Sequence, residues 1–296
     1  MSQEFPFFSI IIPTYERQAQ LATCLESVAC LDYPPEQFEV IVVDDGSDMP
    51  PEELVASFRG RIDVQLLIAR HAGPAAARNF GAQRARGDCL AFTDDDCRPD
   101  RGWLQAFGAR YQTDPKRLIG GRTLNALPQN IYSATSQTII DVVYEHFNRA
   151  ESALFFASNN LAVPAEGFRA IGGFDERFIT SEDRDLCDRW LREGYEMEYA
   201  PEALVYHAHP LRLDTLWRQH FGYGRGAFRF HRAGRQRGAE RFKPDRSFYL
   251  KLLSHPSSTE KGSKAKALAL TSLLIWTQLA SASGFAYEMI RRRQMF

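Results

Sequence analysis

An α/β fold with a mostly parallel sheet flanked by helices is predicted by three features of the 296-residue sequence. Short apolar runs alternate with segments of helical periodicity through the first hundred residues. Glycine and proline mark the ends of these segments. The hydrophobic content of 44% and the aromatic content of 12% are sufficient for a large core. Alternation at these lengths is typical of strands joined by crossover helices.

The first part of the predicted sheet consists of four strands, of which the first two are predicted to be buried. They cover residues 7–13, 38–47, 61–69 and 88–96. Helices are predicted between them over residues 17–31, 51–59 and 73–87. Pro13 ends the first strand, Pro51 begins the second helix, and Gly73 and Gly87 bound the third helix.

The alternation is less regular after residue 100. Helices are predicted over residues 101–112, 133–150 and 181–194. Strands are predicted over residues 117–122 and 155–164, and residues 195–209 predict two short strands around Pro201. These elements complete an N-terminal domain over residues 1–210.

Charge divides the chain into an acidic body and a basic helical C-terminal extension, residues 211–296. The extension has 17 lysines and arginines against 5 acidic residues, whereas the first 210 residues have 19 against 32. This asymmetry predicts a cation or sugar site in the body and an anionic partner, such as a membrane surface, for the extension. Differently solvated surfaces explain it equally well. The basic residues form no nucleic-acid reading motif, so no nucleic acid is expected as a partner.

Residues 267–287 of the extension contain no charge and are flanked by Lys264, Lys266 and residues 291–293. Their length suits a membrane span, but several serines and threonines make them only mildly apolar. A spanning helix, a helix lying on the membrane and a helix packed in the protein remain open. Five cysteines without a CxxC pair favour a reducing compartment, and the N-terminus predicts a first strand without a signal peptide. The predicted location is therefore the cytoplasm, including the inner face of the cell membrane.

Polar residues follow three of the predicted strands. Thr14 and Tyr15 follow the first, Asp44 and Asp45 the second, and the run TDDDC the fourth. In α/β sheets, ligands bind beyond the carboxyl ends of the strands, so these residues are expected around one crevice. Asp-Gly turns and a solvated acidic turn are the plain alternatives. Adjacent carboxylates suit Mg2+ or Mn2+ with a substrate diphosphate, and neither GxxxxGK[ST] nor GxGxxG is present.

Six motifs occur in order: PTYER, VVDDGS, GPAAARNFGAQRARGD, FTDDDCRPD, GGFDERF and SEDRDLCDRWLREG. Together they resemble the inverting family 2 glycosyltransferases with a GT-A (Rossmann-like) fold. The resemblance runs from about residue 7 to residue 207. It implies a nucleotide-sugar donor, a divalent cation (Mn2+ or Mg2+) and direct displacement at the anomeric carbon.

The resemblance also implies site residues. The nucleotide-sugar-binding positions correspond to Pro13, Thr14, Tyr15, Asp45, Arg78, Asp94 and Asp95. The metal position corresponds to Asp96, with Asp94 and His207 as further candidates, and Asp183 corresponds to the catalytic base. Glu182, Trp190 and Asn159 are expected near the acceptor or in support of the site.

Each of these roles has a plainer explanation. Acidic residues in the first turn of a helix are stabilised by its dipole, which accounts for Glu182 and Asp183 without catalysis. Trp190 shares a helix face with Asp183 and can pack in the core or line an acceptor pocket. Asn159 can belong to a turn, and His207 can be structural.

The function expected from the sequence is transfer of a sugar, most commonly from a UDP-sugar, to a saccharide or lipid-linked acceptor. A sugar nucleotidyltransferase is one alternative, but PTYER is not the Gly-rich loop that this class needs. A catalytically silent scaffold that binds sugar nucleotides is the other alternative.

Overall fold

The structure is a computed structural model and describes residues 6–149, 152–239, 243–259 and 262–293. The predictions for residues 1–5 and 294–296 lie outside the described residues. The chain divides into two compact units. The first comprises residues 1–124 and 150–208, and the second comprises residues 125–149 and 209–296.

The described residues form ten strands and ten α-helices. The strands are β1 (Phe8–Thr14), β2 (Phe38–Asp44), β3 (Val64–Ile68), β4 (Cys89–Thr93), β5 (Cys97–Pro99), β6 (Leu118–Asn125), β7 (Asn148–Arg149), β8 (Ser152–Ala153), β9 (Asn160–Pro164) and β10 (Met197–His207). The helices are α1 (Gln18–Val28), α2 (Glu52–Ala56), α3 (Pro74–Ala82), α4 (Trp103–Thr113), α5 (Ile131–Phe147), α6 (Ala165–Ala170), α7 (Glu182–Arg192), α8 (Leu213–Gln236), α9 (Arg246–Thr259) and α10 (Lys264–Arg293).

The first unit contains an eight-stranded sheet in the order β3-β2-β1-β4-β9-β6-β10-β5. Strands β3, β2, β1 and β4 are parallel, as predicted. All residues of β1, β2 and β4 are buried, which explains their nearly continuous apolar sequences. The parallel strands therefore end at one edge, where Thr14 lies beside Asp44 in the register.

The sheet is mixed rather than mostly parallel. Strand β9 is antiparallel to both β4 and β6, and β5 is antiparallel to β10. The sequence did not indicate the direction of these strands, because the regular alternation with helices stops after β4. Residues 197–207 form one strand through Pro201 instead of two short strands.

The second unit is helical and combines the C-terminal helices with residues 125–149. The sequence assigned the latter segment to the first domain. The difference has a packing reason, because Val142 of α5 forms an apolar cluster with Leu252 of α9 and Leu274 of α10. Lys251 also pairs with Glu145 at 2.9 Å.

Helices α8 and α10 pack closely at small residues. A Cβ atom added to Gly224 would overlap the carbonyl oxygen of Ser281, and one added to Gly284 would overlap the carbonyl oxygen of Phe221. Glu288 of α10 is buried and accepts from the Nε atoms of Arg225 and Arg229 at 3.0 and 2.9 Å. By length and composition, residues 264–291 also suit a membrane span, with a mean hydropathy of 1.3 over an 18-residue window. One face of this helix is thus packed against a charged helix.

Gly224→Ala should destabilise the helical unit by about 1–3 kcal/mol, because α8 and α10 must separate to admit a methyl group. The check is the urea midpoint measured by far-ultraviolet circular dichroism. Gly234→Ala is the matched control, since a Cβ there meets only the Cβ of Ala239 at 3.5 Å. The control should be neutral or slightly stabilising. Equal midpoints for the two variants would contradict the close helix contact.

Candidate active site

The carboxyl ends of β1, β2 and β4 bring together residues that are far apart in the sequence. The hydroxyl group of Thr14 donates to the Oδ2 atom of Asp95 at 2.8 Å. Both residues are buried. The crevice expected from the sequence is therefore present at this edge of the sheet, with the acidic run on one side.

Asp45 lies in the loop after β2 and organises the loop that precedes α3. Its two carboxylate oxygens accept from the backbone N–H groups of Ala72 and Gly73, each at 2.9 Å. The ring of His71 lies 4.3 Å from that of Tyr15, measured between centroids, and Tyr15 is 44% exposed. This arrangement offers an aromatic surface beside a fixed carboxylate, which is suited to a planar ring such as a base.

The three aspartates of the acidic run have different partners. The Oδ1 atom of Asp94 accepts from Arg78 at 2.6 Å. Asp95 and Asp96 share the guanidinium group of Arg17, at 3.1 and 3.2 Å. Separate cations thus offset much of the repulsion among the three adjacent carboxylates. Arg17 was not among the predicted site residues, although it belongs to the PTYER motif at the end of β1.

His207 reaches the acidic run because β10 pairs with β5. The register places His207 opposite Cys97. The Nε2 atom of His207 lies 3.2 Å from the Oδ1 atom of Asp96. Burial lowers the pKa of His207, but the hydrogen bond and the charge of Asp96 outweigh it, so the net shift is upward.

Burial raises the pKa of Asp95 to about 6, although Arg17 and Thr14 act in the opposite direction. Asp94 and Asp96 add to the upward shift because they carry like charges. The cluster therefore has unfavourable negative charge that a further cation would relieve.

The donor atoms at this position fit a divalent cation. Asp96, Cys97 and His207 present ligand atoms that all lie within 4.8 Å of one another. Burial raises the pKa of the Cys97 thiol well above its usual range, so the thiol stays protonated and is a weak ligand. The remaining oxygen and nitrogen donors suit Mn2+ or Mg2+. Asp94 is not part of this group of ligand atoms, and its carboxylate accepts a hydrogen bond from Arg78.

Helix α7 supplies the second acidic pair. Ser181 precedes it with a left-handed backbone (φ 71°), an uncommon conformation for a residue other than glycine. Asp183 is half-buried, and its Oδ1 atom accepts from the backbone N–H of Arg184 at 2.7 Å. Burial raises the pKa values of both Glu182 and Asp183, and the charge of Asp183 raises that of Glu182 further. A carboxylate with a raised pKa is a stronger base.

Arg78 joins the two acidic segments. It is buried, and its Nη1 atom donates to Glu182 at 3.0 Å while Nη2 donates to Asp94. Burial acts to lower the pKa of Arg78, but Asp94, Glu182 and Asp183 raise it above its usual range. Arg78 is therefore a fixed cation within the site.

The structure does not bring every predicted residue to the crevice. Trp190 is 0% exposed, and its ring stacks on Tyr195, so it packs in the core and does not line an acceptor pocket. Trp190 is seven residues after Asp183 on α7, and at this position it points into the core beside Leu186. Asn159 lies near the acidic run, where its side-chain amide donates to the Sγ atom of Cys97 at 3.7 Å. Pro13 is buried within β1.

Two family models match the sequence. "Glycosyl transferase family 2" matches residues 9–170, and "Glycosyl transferase family group 2" matches residues 91–290. The curated relatives include Glycosyltransferase AglE of Haloferax volcanii, 28% identical over 76% of this chain and 74% of the relative. Pre-mycofactocin glycosyltransferase of Mycobacterium tuberculosis is 32% identical over 74% of this chain. The match spans about half (46%) of that relative's length.

Solved structures share the fold. The mannosyltransferase PcManGT of Pyrobaculum calidifontis, in complex with GDP-Man and Mn2+, matches with a TM-score of 0.68 and 18% identity. The match covers 96% of this chain and 88% of that one. TarS of S. aureus (residues 1–349) matches with a TM-score of 0.55 over 98% of this chain and 92% of that one, at 17% identity. At these identities the likeness establishes a GT-A-like fold alone.

Proposed function

The chain belongs to glycosyl transferase family 2 and is a glycosyltransferase, and on that premise we propose a metal-dependent reaction that inverts the anomeric carbon of a nucleotide-sugar donor. The acceptor is a hydroxyl group. The observations that support this proposal are the pairing of Asp96 with His207 at the sheet edge and the bridge that Arg78 forms from Asp94, in the same acidic run, to Glu182 at the start of α7. Arg78 therefore ties the segment with the cation site to the helical turn with the candidate base.

The donor nucleotide is assigned to the edge formed by β1 and β2. Tyr15 and His71 offer stacking surface to the base, and the loop fixed by Asp45 lies beside them. Asp94 and Asp95 are assigned to the ribose. UDP is the first expectation for the nucleotide, while GDP and dTDP remain to be tested; solved relatives have been captured with GDP-Man, UDP and UDP-GlcNAc.

Asp96 and His207 are assigned to hold Mn2+ or Mg2+. When bound, such an ion offsets the negative charge that develops on a departing diphosphate. Arg17 is half-exposed, so its guanidinium group can leave Asp96 and turn towards the donor phosphates. Asp95 keeps its hydrogen bond from Thr14 and so holds the acidic run on β1 during that change.

Asp183 is assigned as the base that removes the proton of the acceptor hydroxyl. The oxygen of the acceptor forms its bond to the anomeric carbon as the bond to the diphosphate breaks, so a single displacement inverts that carbon. No covalent bond between sugar and protein is required. Arg78 holds Glu182 as a neighbouring ion pair and thereby fixes the first turn of α7.

The acceptor is proposed to be a saccharide or a lipid-linked precursor at the cytoplasmic face of a membrane. The positive charge of residues 211–296 supports an anionic membrane surface as the partner of the helical unit. Five reduced cysteines agree with a reducing compartment. The nucleotidyltransferase and scaffold alternatives have no feature in the site that favours them over transfer.

A thermal-shift titration with UDP, GDP and dTDP, each with and without Mn2+, tests the site. Binding to the folded chain at 100 times Kd should add about 2.7 kcal/mol of apparent stability. We expect one nucleotide to raise the melting temperature by several degrees only when Mn2+ is present. Chelation with EDTA is the control and should remove the shift. Shifts that are equal with and without Mn2+ would contradict the metal assignment, and no shift with any nucleotide would contradict the donor site.

A further inference from the structure

A surface cavity of about 770 Å³, open to solvent, is lined only by residues of the helical unit. Its apolar lining includes three aromatic side chains, from Tyr132 of α5, Trp217 of α8 and Trp276 of α10. The two tryptophan rings lie 4.6 Å apart between centroids. An aromatic surface of this kind suits hydrocarbon or sugar rings.

The polar side of the cavity carries excess positive charge. Arg212 and Arg218 line it together with Asp214, the acidic residue that both arginines contact. The distances to Asp214 are 3.7 Å from Arg212 and 2.6 Å from Arg218. Because these two guanidinium groups share one carboxylate, some of their N–H groups remain to donate to an anion. Guanidinium forks match phosphate oxygens especially well.

The apolar side of the cavity continues along one face of α10. We call this the outer face, and its large exposed side chains are Leu268, Ile275, Trp276, Leu279, Tyr287 and Ile290, with the exposed Ser272 and Ser283 between them. It carries no charge over 23 residues, or about 33 Å of helix at 1.5 Å per residue. Trp276 belongs to both the outer face and the cavity. A row of large exposed apolar side chains on the surface of a protein often marks an interaction site.

Charge favours a membrane over a second copy of the chain as the occupant of the outer face. Residues 211–296 have a net charge of +12, which opposes the approach of an identical surface. Lys264, Lys266 and Arg291 flank the outer face and are exposed. Basic ends, an apolar face and aromatic side chains are typical of helices that lie in the plane of a membrane interface.

We propose that the outer face of α10 lies in the interface of an anionic phospholipid membrane, and that the cavity binds the phosphate of one membrane lipid. Arg212 and Arg218 hold the phosphate, and the acyl chain lies against Trp217 and Trp276. This inference rests on the proposed function in one respect, the anionic membrane surface as partner of the helical unit, and it names the residues that would contact that membrane. Its measurement needs neither donor nor acceptor.

Tryptophan fluorescence can report this site in the full-length chain. Four tryptophans are present, and Trp103 and Trp190 are fully buried in the other unit. Vesicles whose acyl chains carry bromine should therefore quench mainly Trp217 and Trp276. We expect strong quenching with phosphatidic acid in a phosphatidylcholine vesicle and little with phosphatidylcholine alone.

The double variant Arg212→Gln/Arg218→Gln should raise the lipid concentration for half-maximal quenching about 30-fold, from about fivefold per arginine. Both side chains are exposed, so the fold should persist. Lys243→Gln/Arg246→Gln is the matched control, because it removes two exposed charges of the same unit outside the cavity. The control should have a much smaller effect on the half-maximal concentration, because neither side chain lines the cavity. Leu279→Gln should weaken quenching without altering the cavity charge.

Several results would overturn the inference. Equal losses in the two double variants would indicate diffuse attraction without a phosphate site. Quenching that requires a polyprenyl phosphate would exclude the bulk phospholipid as the ligand. A fluorescence change with inorganic phosphate, together with no quenching by phosphatidic acid vesicles, would exclude a membrane lipid. A stable dimer in sedimentation that protects Trp276 without lipid would assign the outer face to a second copy. A nucleotide titration that fails while lipid quenching persists would reject the donor site and leave the lipid site standing.

Discussion

Replacing Asp183 by asparagine should lower the rate of sugar transfer by about 10²–10⁴-fold, the usual contribution of a general base. The amide keeps the size of the side chain and can still accept from the N–H of Arg184. The folded state should therefore remain as stable as before, or slightly more so, because burial raises the pKa of Asp183 and thus disfavours its charge. The measurement is the single-turnover rate at saturating donor.

The same raised pKa sets the pH dependence of transfer. Asp183 must be deprotonated to act as a base, and its pKa lies above that of an ordinary aspartate. Transfer should accordingly decline as the pH falls through this raised pKa and level off above it. Asp183→Asn should lose this dependence in its residual activity.

Asp188→Asn is the control for this substitution. It makes the same chemical change on the same helix, where Asp188 accepts from Arg192 at 2.9 Å as an i,i+4 surface pair. Its effect on transfer should be small, since such pairs contribute only a few tenths of a kcal/mol. Full activity in Asp183→Asn together with inactive Glu182→Gln would move the base assignment to Glu182.

Asp96→Ala should abolish transfer, by about 10³-fold or more, because several kcal/mol of charge stabilisation depend on the cation. The variant should also lose the Mn2+ dependence of nucleotide binding in the thermal-shift titration, which Asp183→Asn should retain. His207 loses its carboxylate partner in this variant, so neither assigned ligand remains well held.

Cys97→Ala is the matched control for the cation site. Its thiol is the third donor in the cluster, but it stays protonated, so its removal should leave Mn2+-dependent binding nearly unchanged. If Cys97→Ala were to remove metal dependence while Asp96→Ala kept it, the assigned ligands would be wrong.

Much of the parallel half of the fold followed from the sequence, because β1, β2 and β4 are buried on both sides and their apolar runs are nearly continuous. The position of Thr14 beside Asp95 followed in turn, since parallel strands end at one edge. The family and the enzyme class were predicted correctly from the order of six motifs. The residue roles stay predictions.

The remainder depended on tertiary contacts that local patterns do not encode. Strand β5 has three residues and exists through its pairing with β10, which brings His207 to Asp96. The helical spacing of Trp190 is compatible both with a core position and with a position that lines a pocket. Its stacking on Tyr195 in the structure shows that it lies in the core. Arg17 was not predicted in the site, and Arg78 was expected beside the nucleotide, whereas the structure pairs these two arginines with four carboxylates.

The buried guanidinium group of Arg78 has an evolutionary consequence. Loss of Arg78 would leave Asp94 and Glu182, which are distant in sequence, without their shared cation, and loss of either carboxylate would leave the cation under-compensated. Substitutions at the three positions are therefore expected to be epistatic, so that each is tolerated only with a matching change at another. Amino-acid changes at Asp94 and at Glu182 should therefore be coupled during evolution. Related sequences that differ at one of these positions should also differ at another of the three.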